Sequence, residues 1–275
     1  MAASKAPTPR ALGIDIGGTG IKGAVVDLDT GQLATERYRV PTPVPSTPQN
    51  VSKVIHEMVT RHGWSGPVGA AFPAVIRGGV ARSAANVDPS WIGTDVDALF
   101  TEVTNCPVTV MNDADAAGVA EVRAGAAKDV PGVVLLLTLG TGIGSALFID
   151  GHLVPNTELG HLELQGVDAE TRAAASARER EGLSWKHWAS RLQHYLKHLE
   201  HVLPPDLFVL GGGVSKTPDK WLPYLHVETP VVIASLRNNA GIVGAAMVAH
   251  DEAVAGNSAQ TLRPVRNHPA RAELD

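Results

Sequence analysis

The chain has 275 residues and a net charge of −5 at neutral pH; 44% of its residues are hydrophobic and 19% are charged. This length can form two modest domains, and the negative charge gives no overall attraction for nucleic acids or anionic membranes, so we expect neither as a partner. Because no apolar stretch approaches a membrane span, the start of the chain lacks a signal core, and Cys106 is the single cysteine, we expect a cytoplasmic protein without disulfides.

Two strands joined by a glycine-rich turn form the first predicted unit, in residues 11–40. Backbone N–H groups and a threonine hydroxyl in such a turn can bind phosphate oxygens, because no Cβ blocks their approach. The candidate phosphate-binding residues in this unit are Asp15, Gly17, Gly18, Thr19, Gly20 and Lys22.

The same turn also fits the dinucleotide-binding spacing Gly18-x-Gly20-x-x-Gly23, which requires a helix to begin at the glycines. The residues that follow, 24–31, are rich in valine and end in a turn, so they predict a second strand and therefore a hairpin. A nicotinamide-dependent dehydrogenase stays a distant alternative. The chain has no Gly-x-x-x-x-Gly-Lys-Ser/Thr motif, which argues against a P-loop enzyme.

A stiff, proline-rich connector at 41–48 precedes a predicted helix, whose apolar residues recur at helical spacing and whose N-cap is Thr47 or Asn50. Strands are predicted next at Val68–Phe72 and 108–111, and a helix of small residues at 114–127. Asn112 and Asp113 stand between the second strand and this helix, where open α/β sheets place their functional sites. Asp113 is therefore either a catalytic residue or a helix cap.

A second glycine turn follows the predicted strand Val133–Leu139 and repeats the Gly-Thr-Gly-Ile tetrad of the first. A third glycine cluster follows a strand predicted at 207–210. The candidate phosphate-binding residues in this half are Thr138, Gly140, Thr141, Gly142, Gly211, Gly212, Gly213 and Lys216. Residues 166–203 are predicted to be helical with a break near Gly182, and a final helix of small residues is predicted at 240–250.

The alternation of strands and helices predicts an α/β fold, and the repeated turn suggests two lobes that face each other across a cleft. We expect a small N-terminal lobe of residues 11–112 plus 240–250 and a large C-terminal lobe of residues 113–239. The two ends of the chain, 1–10 and 251–275, are expected to be flexible.

The helix predicted at 185–203 carries an apolar stripe and, one residue earlier in each turn, a basic stripe. The apolar stripe consists of Trp188, Leu192, Tyr195, Leu199 and Val202. The basic stripe consists of His187, Arg191, His194, His198 and His201, with Lys186, Lys197, Lys216 and Lys220 nearby. The basic stripe is either a track for a polyanion or an ordinary solvated helix flank.

In combination, six short segments resemble the ROK family of sugar kinases, which share the two-lobed actin-like, ribonuclease H-like ATPase fold. The segments are 15–19 (DIGGT), 112–118 (NDADAAG), 139–144 (LGTGIG), 158–161 (ELGH), 210–213 (LGGG) and 239–246 (NAGIVGAA). Many family members have a cysteine-rich zinc segment after Glu-x-Gly-His, but residues 162–185 contain no cysteine, so we expect no structural zinc. In this respect the chain is similar to the short polyphosphate/ATP glucokinases of bacteria.

The resemblance implies transfer of a phosphoryl group from inorganic polyphosphate or ATP to O6 of glucose, with Mg²⁺ at Asp15 and with Asp113 as general base. It also implies a homodimer. The residues expected to bind the sugar are Asn86, Asn112, Glu158, His161 and Glu170. Glu170 could instead be a solvated helix residue, because the family's second glutamate follows the zinc segment that is missing here, and His161 could be a core histidine.

Several related functions stay open. An ATP-only glucokinase, a glucose/mannose kinase and a kinase of N-acetylglucosamine or fructose would all use the same motifs. The family also includes sugar-responsive transcription regulators, but only about ten residues precede the first predicted strand, too few for a helix-turn-helix module. The presence of Asp113 argues against a non-catalytic sugar sensor.

Overall fold

Two β-sheets form the centre of the protein, whose structure, a computed structural model, describes residues 8–84 and 87–261. The first eight strands are β1 (Arg10–Ile16), β2 (Ile21–Asp27), β3 (Gln32–Leu33), β4 (Tyr38–Val40), β5 (Val68–Phe72), β6 (Ile76–Arg77), β7 (Val80–Ala81) and β8 (Val108–Asn112). The first sheet has the order β3-β2-β1-β5-β8, and β4 also pairs with β2. Strands β6 and β7 form a separate hairpin. As predicted, β1 and β2 are antiparallel and enclose the first glycine turn.

The second sheet repeats this arrangement. Its region contains β9 (Val133–Leu139), β10 (Ile143–Ile149), β11 (His152–Val154), β12 (Glu163–Leu164), β13 (Val167–Asp168), β14 (Leu207–Gly212) and β15 (Val231–Ile233). The strand order is β11-β10-β9-β14-β15, with β12 and β13 as a separate hairpin. Strands β9 and β10 are antiparallel and enclose the second glycine turn, while β9, β14 and β15 are parallel. Each sheet therefore presents a glycine turn next to the ends of parallel strands.

Helices cover both sheets and fill the space between them. They are α1 (Pro48–Arg61), α2 (Val96–Thr104), α3 (Asp113–Ala124), α4 (Glu170–Ala173), α5 (Ala175–Arg180), α6 (Trp185–Val202) and α7 (Ala240–Thr261). Helices α1 and α2 share a core with the first sheet, and α4 and α6 share one with the second. A third core joins α3 and α7 to side chains from both sheets, so these two helices lie in the middle of the molecule.

Most local predictions are confirmed, and the differences have physical causes. Thr47 caps α1 by accepting a hydrogen bond from the Asn50 N–H group at 3.4 Å. The prediction of helix at 166–169 was wrong, because this segment turns back on itself as the hairpin β12–β13. Val202, the last residue of the apolar stripe, is 50% exposed because it lies in the last turn of α6, beyond the core.

The final helix, α7, continues past its predicted end at residue 250 to Thr261, so the expected flexible end is helical at 251–261. On the other side of the chain, β1 begins at Arg10, inside the expected flexible start. The division of the chain into lobes at residue 112 stays a prediction.

Helix α7 packs so closely against α3, β1 and β5 that their backbones are in direct contact. A Cβ atom on Gly244 would lie 1.7 Å from the carbonyl oxygen of Ala116 in α3. Cβ atoms on Gly13 of β1 and Gly69 of β5 would each lie 1.9 Å from an α7 carbonyl oxygen. Only glycine permits these distances, so the small residues of the central helices set how closely the first sheet and α3 approach α7.

A glycine-to-alanine change should therefore destabilise the fold at this crossing. We expect Gly244→Ala to lower the free energy of unfolding by about 1–3 kcal/mol, because the added methyl forces α3 and α7 apart. The matched control is Gly256→Ala in the same helix, where a Cβ would meet nothing within 4 Å. The control should be neutral or stabilising by up to about 1 kcal/mol through helix propensity. Urea unfolding measures both, and equal midpoints for the two variants would contradict this account.

Candidate active site

Asp113 lies where β8 ends and α3 begins, and its carboxylate is exposed to the cleft between the sheets. Its Oδ1 atom accepts a hydrogen bond from the Ala114 N–H group at 2.8 Å. The surrounding cleft walls still remove much of the water around it, and this burial raises the pKa of Asp113 to about 6, with the negative charges of Asp15 and Glu158 adding to the shift. A carboxylate with this pKa can accept a proton near neutral pH.

The neighbouring Asn112 is the N-cap of α3. Its Oδ1 atom accepts hydrogen bonds from the N–H groups of Ala114 and Asp115 at 2.9 and 3.1 Å, and its Nδ2 donates to the carbonyl of Ala74 at 3.1 Å. The Asn112 side chain is therefore buried, and most of its hydrogen bonds go to backbone groups. One amide N–H of Asn112 is left for a ligand, and its expected contact with a sugar hydroxyl stays a prediction.

The predicted sugar-binding residues Glu158, His161 and Glu170 lie together. The His161 Nε2 and Nδ1 atoms lie 4.0 Å from carboxylate oxygens of Glu158 and Glu170, respectively. His161 also pairs through Nδ1 with Asp168 at 2.9 Å, and this hydrogen bond raises the pKa of His161. Burial raises the pKa of Glu158. His161 is half exposed, so it is not a core histidine.

Glu170 is also held in the cleft and is not a freely solvated helix residue. Its Oε2 atom accepts a hydrogen bond from the Ile143 N–H group at 3.0 Å, directly beside the second glycine turn. A Cβ on Gly142 would lie 2.4 Å from that same oxygen. Glu170 therefore joins the acidic cluster to the second turn, and the glycine at position 142 makes room for it.

The first glycine turn is closed by a hydrogen bond from the Gly17 N–H group to the Gly20 carbonyl at 3.2 Å. Asp15 and Lys22 flank the turn and form a half-buried ion pair at 2.7 Å. The two residues were predicted to contact metal and phosphate, respectively, and here they contact each other. Arg39 of β4, which stands opposite Lys22 in the sheet, donates to the Thr19 carbonyl at 2.9 Å.

The second glycine turn is closed by a hydrogen bond from the Gly140 N–H group to the Gly142 carbonyl at 3.0 Å. Ser176, in the first turn of α5, supports it by donating from its hydroxyl to the Thr141 carbonyl at 2.6 Å. Thr138 lies just before the turn, on β9, opposite Gly144 of β10. The second turn is therefore closed by its own backbone hydrogen bond and supported by a side chain of the short helix α5.

The third glycine cluster lies at the end of β14. Gly212 has a φ of +81°, and a Cβ there would lie 2.4 Å from the Leu139 carbonyl oxygen of β9. Gly211 is buried, Gly213 is exposed, and Lys216 is exposed in the short turn that follows. Because residues 211–213 are glycines, they place no side chain over the backbone beside the second turn. Asn86, the remaining predicted sugar contact, lies outside the described residues.

Asp15 is the carboxylate that best fits a magnesium site. The first glycine turn begins two residues after it, and its charge acts on Asp113 across the cleft. Within 8–84 and 87–261, no group of three or more His, Cys, Asp or Glu side chains is arranged to hold a metal. Mg²⁺ in phosphate sites commonly uses one or two carboxylates plus substrate phosphates and water, so a single carboxylate beside a phosphate turn fits this ion.

The basic stripe of α6 is partly neutralised. Arg191 forms an ion pair with Glu181 at 2.7 Å, whereas His187, His194 and His201 are exposed. A cavity of about 340 Å³ lies between this helix, the β12–β13 hairpin and α4, lined by Arg172, Arg191 and His194 among others. In the described part of the chain, no helix is long and apolar enough to cross a membrane.

Sequence reasoning missed Asp168, Arg39, Asp115 and Asn156. As described above, Asp168 pairs with His161, and Arg39 donates to a carbonyl of the first glycine turn. The Asp115 carboxylate lies on α3, and its Oδ2 accepts a hydrogen bond from the Asn156 N–H group at 2.8 Å. Burial, with the charges of Glu158 and Asp113, raises the pKa of Asp115 to about 7. For Asp115 the proximity to Asp113 in sequence was an available signal, and Asp168 lies only seven residues after His161. Arg39 and Asn156 make contacts distant in sequence that no local pattern marks.

Comparison with known proteins agrees with the motifs. A model of the ROK family matches residues 11–176. The chain is 54% identical to a polyphosphate glucokinase of Mycobacterium tuberculosis over 86% of this chain and 89% of that protein. It superposes on the crystal structure of an inorganic polyphosphate/ATP-glucomannokinase from Arthrobacter with a TM-score of 0.83 and 53% identity, covering 90% of this chain and all of that one.

A more distant solved structure is similar over most of the chain. It is a ROK family glucokinase from Streptomyces griseus in complex with glucose and AMPPNP, with a TM-score of 0.72 and 25% identity. The alignment covers 88% of this chain and all of that one.

The electrostatic coupling in the cleft can be tested directly. We expect a carbon-13 NMR titration to give Asp113 a pKa of about 6, and Asp15→Asn to lower it, because removing a nearby negative charge makes ionisation easier. Asp95→Asn is the control, since Asp95 caps α2 and its charge acts on Asp97. An Asp113 pKa that does not respond to Asp15→Asn would contradict this account of the site.

Proposed function

The chain belongs to the ROK family, and on that premise we propose that it is a glucokinase that phosphorylates O6 of glucose with inorganic polyphosphate or ATP as the donor. It has the family's two-lobed, actin-like α/β fold. The observation that carries the proposal is the placement of Asp113: a carboxylate with a raised pKa faces a cluster of sugar-type ligands, with glycine turns on both sides.

Asp113 is proposed as the general base. A sugar hydroxyl is a weak nucleophile, and it must lose its proton as its oxygen bonds to the transferred phosphorus. The Ala114 N–H group fixes one oxygen of Asp113, which leaves the other free to accept that proton. As the new P–O bond forms, the bond to the bridging oxygen of the donor breaks, and the shortened polyphosphate or ADP leaves.

The remaining cluster is proposed to bind the sugar. The carboxylates of Glu158 and Glu170 offer hydrogen-bond acceptors in the cleft, and His161 can donate or accept according to its protonation. This set suits the neighbouring hydroxyls of a hexose. Asp168 orients the His161 ring through Nδ1 and so leaves Nε2 for a ligand. Once a bound sugar covers them, polar groups of this kind disfavour analogues that leave them unpaired. Asn86 keeps its proposed role as a further sugar contact.

The glycine turns are proposed to hold the donor. The N–H groups of residues 17–20 and 140–142 and the open backbone at 211–213 would bind the phosphoryl oxygens, with Thr19, Thr138 and Thr141 adding hydroxyls. Mg²⁺, held by Asp15 together with donor phosphates, would neutralise charge on the transferred group. Lys22, now paired with Asp15, would then be free to contact the donor.

Two narrower features are also proposed. The glucomannokinase likeness supports acceptance of mannose, which differs from glucose only at C2. A homodimer and a cytoplasmic location follow from the family resemblance and from the single, buried cysteine. An ATP-only kinase or a non-catalytic sensor of the same fold would be the outcome if the tests below fail for one or both donors.

Removal of the base should abolish turnover. We expect Asp113→Asn to lower kcat by about 10²–10⁴-fold with either donor, because asparagine keeps the fold contact with Ala114 but cannot accept the proton. Glucose 6-phosphate formation with Mg²⁺ and each donor separately is the measurement. Asp95→Asn, a helix-cap change of identical chemistry, is the control. A wild-type protein that yields no product from either donor would overturn the glucokinase proposal.

The role of the basic stripe on α6 can be tested by comparing the two phosphoryl donors, polyphosphate and ATP. If it is a polyanion track, Arg191→Ala with Lys216→Ala should raise the polyphosphate KM more than the ATP KM, and the difference should shrink as salt screens the charges. The control removes two exposed lysines from other elements, Lys53 and Lys128. Equal changes for both donors would mean that the stripe is an ordinary solvated flank, in keeping with the Arg191–Glu181 ion pair.

A further inference from the structure

Asn156 joins two segments that are far apart in the chain. Its side-chain Oδ1 accepts a hydrogen bond from the Ile76 N–H group at 2.8 Å, and its Nδ2 donates to the Ile76 carbonyl at 2.8 Å. An amide side chain that pairs with both backbone groups of one residue imitates a strand neighbour. It therefore ties the β6–β7 hairpin, which follows the first sheet, to the loop after β11 of the second sheet.

Asp115 fixes Asn156 from the opposite side. Its Oδ2 atom accepts the Asn156 N–H group at 2.8 Å, while its Oδ1 atom is buried without a hydrogen-bond partner within the described residues. Asp115 is only 2% exposed, so this carboxylate is held inside the protein at a cost in solvation. It belongs to the first turn of α3, two residues after the proposed base, Asp113.

Asn156 also stands two residues before Glu158, the proposed sugar ligand. Between the two, Thr157 Oγ1 donates to the Ser145 carbonyl at 3.2 Å, and just after Glu158 the Leu159 N–H group donates to Ser145 Oγ at 3.0 Å. The backbone that carries Glu158 is thus pinned at both ends. The carboxylate itself lies 4.0 Å from His161, so its position depends chiefly on these backbone anchors.

We call these contacts among Asn156, Asp115 and the Ile76 backbone the joint. Hydrogen bonds, and not tight packing, hold the joint together. A cavity of about 300 Å³ borders it, lined by Ile76, Asn112, Asp115 and Asn156 among others. Asn156 also has a φ of +58°, a conformation that asparagine tolerates better than most residues. With open space on one side, loss of the side-chain bonds would let the two segments move apart.

We propose that Asn156, held by Asp115, is a positioning residue that sets the distance of Glu158 from Asp113 and from the Ala74–Ile76 backbone, and thereby sets the affinity for the sugar. The proposal rests on the proposed glucokinase function. It assigns no contact between Asn156 and substrate: the residue acts through the backbone of Glu158. Asn112, which donates to the Ala74 carbonyl, completes the same joint from α3.

The decisive variant is Asn156→Gly. Glycine adopts the positive φ without steric strain, so this change removes the side-chain bonds to Ile76, and the Asn105→Gly control below carries the same added backbone freedom. We expect the glucose KM to rise roughly ten-fold, the size of one or two neutral hydrogen bonds, while kcat and the donor KM stay within about two-fold. Asp115→Ala should act in the same direction. Asp115→Asn should restore most of the affinity, because an amide oxygen can still accept the Asn156 N–H group.

The matched control is Asn105→Gly, the same substitution at another asparagine with positive φ, at the C-cap of α2. It should leave the glucose KM unchanged. Hydrogen exchange of the Ile76 amide supplies a readout that needs no substrate: exchange should accelerate in Asn156→Gly and stay unchanged in Asn105→Gly.

The possible results separate the two levels of the proposal. A glucose KM in Asn156→Gly equal to that of the wild type, an equal rise in glucose and donor KM, or unaltered Ile76 exchange would each overturn the positioning role. A wild-type protein that does not phosphorylate glucose would overturn the kinase proposal instead. In that case faster Ile76 exchange in Asn156→Gly, with weaker binding of glucose by calorimetry, would still support the joint.

Discussion

The close crossing of α3 and α7 is the constraint on which the rest of the structure depends. Both helices are made of small residues, and Gly244 lets their backbones meet near Ala116. The same helix, α7, lies directly on the backbones of β1 and β5. Because no long side chains separate these elements, the start of α3 is held at a fixed place between the two sheets, and Asp113 is the first residue of that helix.

Charge in the cleft follows from this placement. The charges of Asp15 and Glu158 act on Asp113, and all three carboxylates lie where the cleft walls exclude much of the water. Burial is the main reason that the pKa of Asp113 moves towards neutrality, and the two neighbouring negative charges add to the shift. Lys22 and His161 offset part of this negative charge at opposite sides of the cluster. The site therefore combines a carboxylate that can accept a proton near neutral pH with basic side chains beside the first glycine turn and beside Glu158.

Several polar side chains near the site also complete hydrogen bonds of the scaffold. Asn112 caps α3, Asn156 pairs with Ile76, and Glu170 accepts the N–H group of Ile143. Each uses a side chain to complete backbone hydrogen bonds that irregular segments would otherwise leave unpaired. Functional loops need such support because they lack the ladders of a sheet or helix. Side chains near the site can thus also hold its backbone in place.

The sequence by itself determined the α/β class, both glycine hairpins, the Thr47 cap, the position of Asp113 at a strand end, and the family. These features are local: they arise from turn chemistry, hydrophobic spacing and short motifs within about ten residues. Only the tertiary structure decided that Asn112 donates to the Ala74 carbonyl, that Glu170 contacts the second turn and that Asn156 binds Ile76. Those contacts join residues brought together by the packing of two sheets around α3 and α7, and no local pattern records which side chain will complete a distant backbone hydrogen bond.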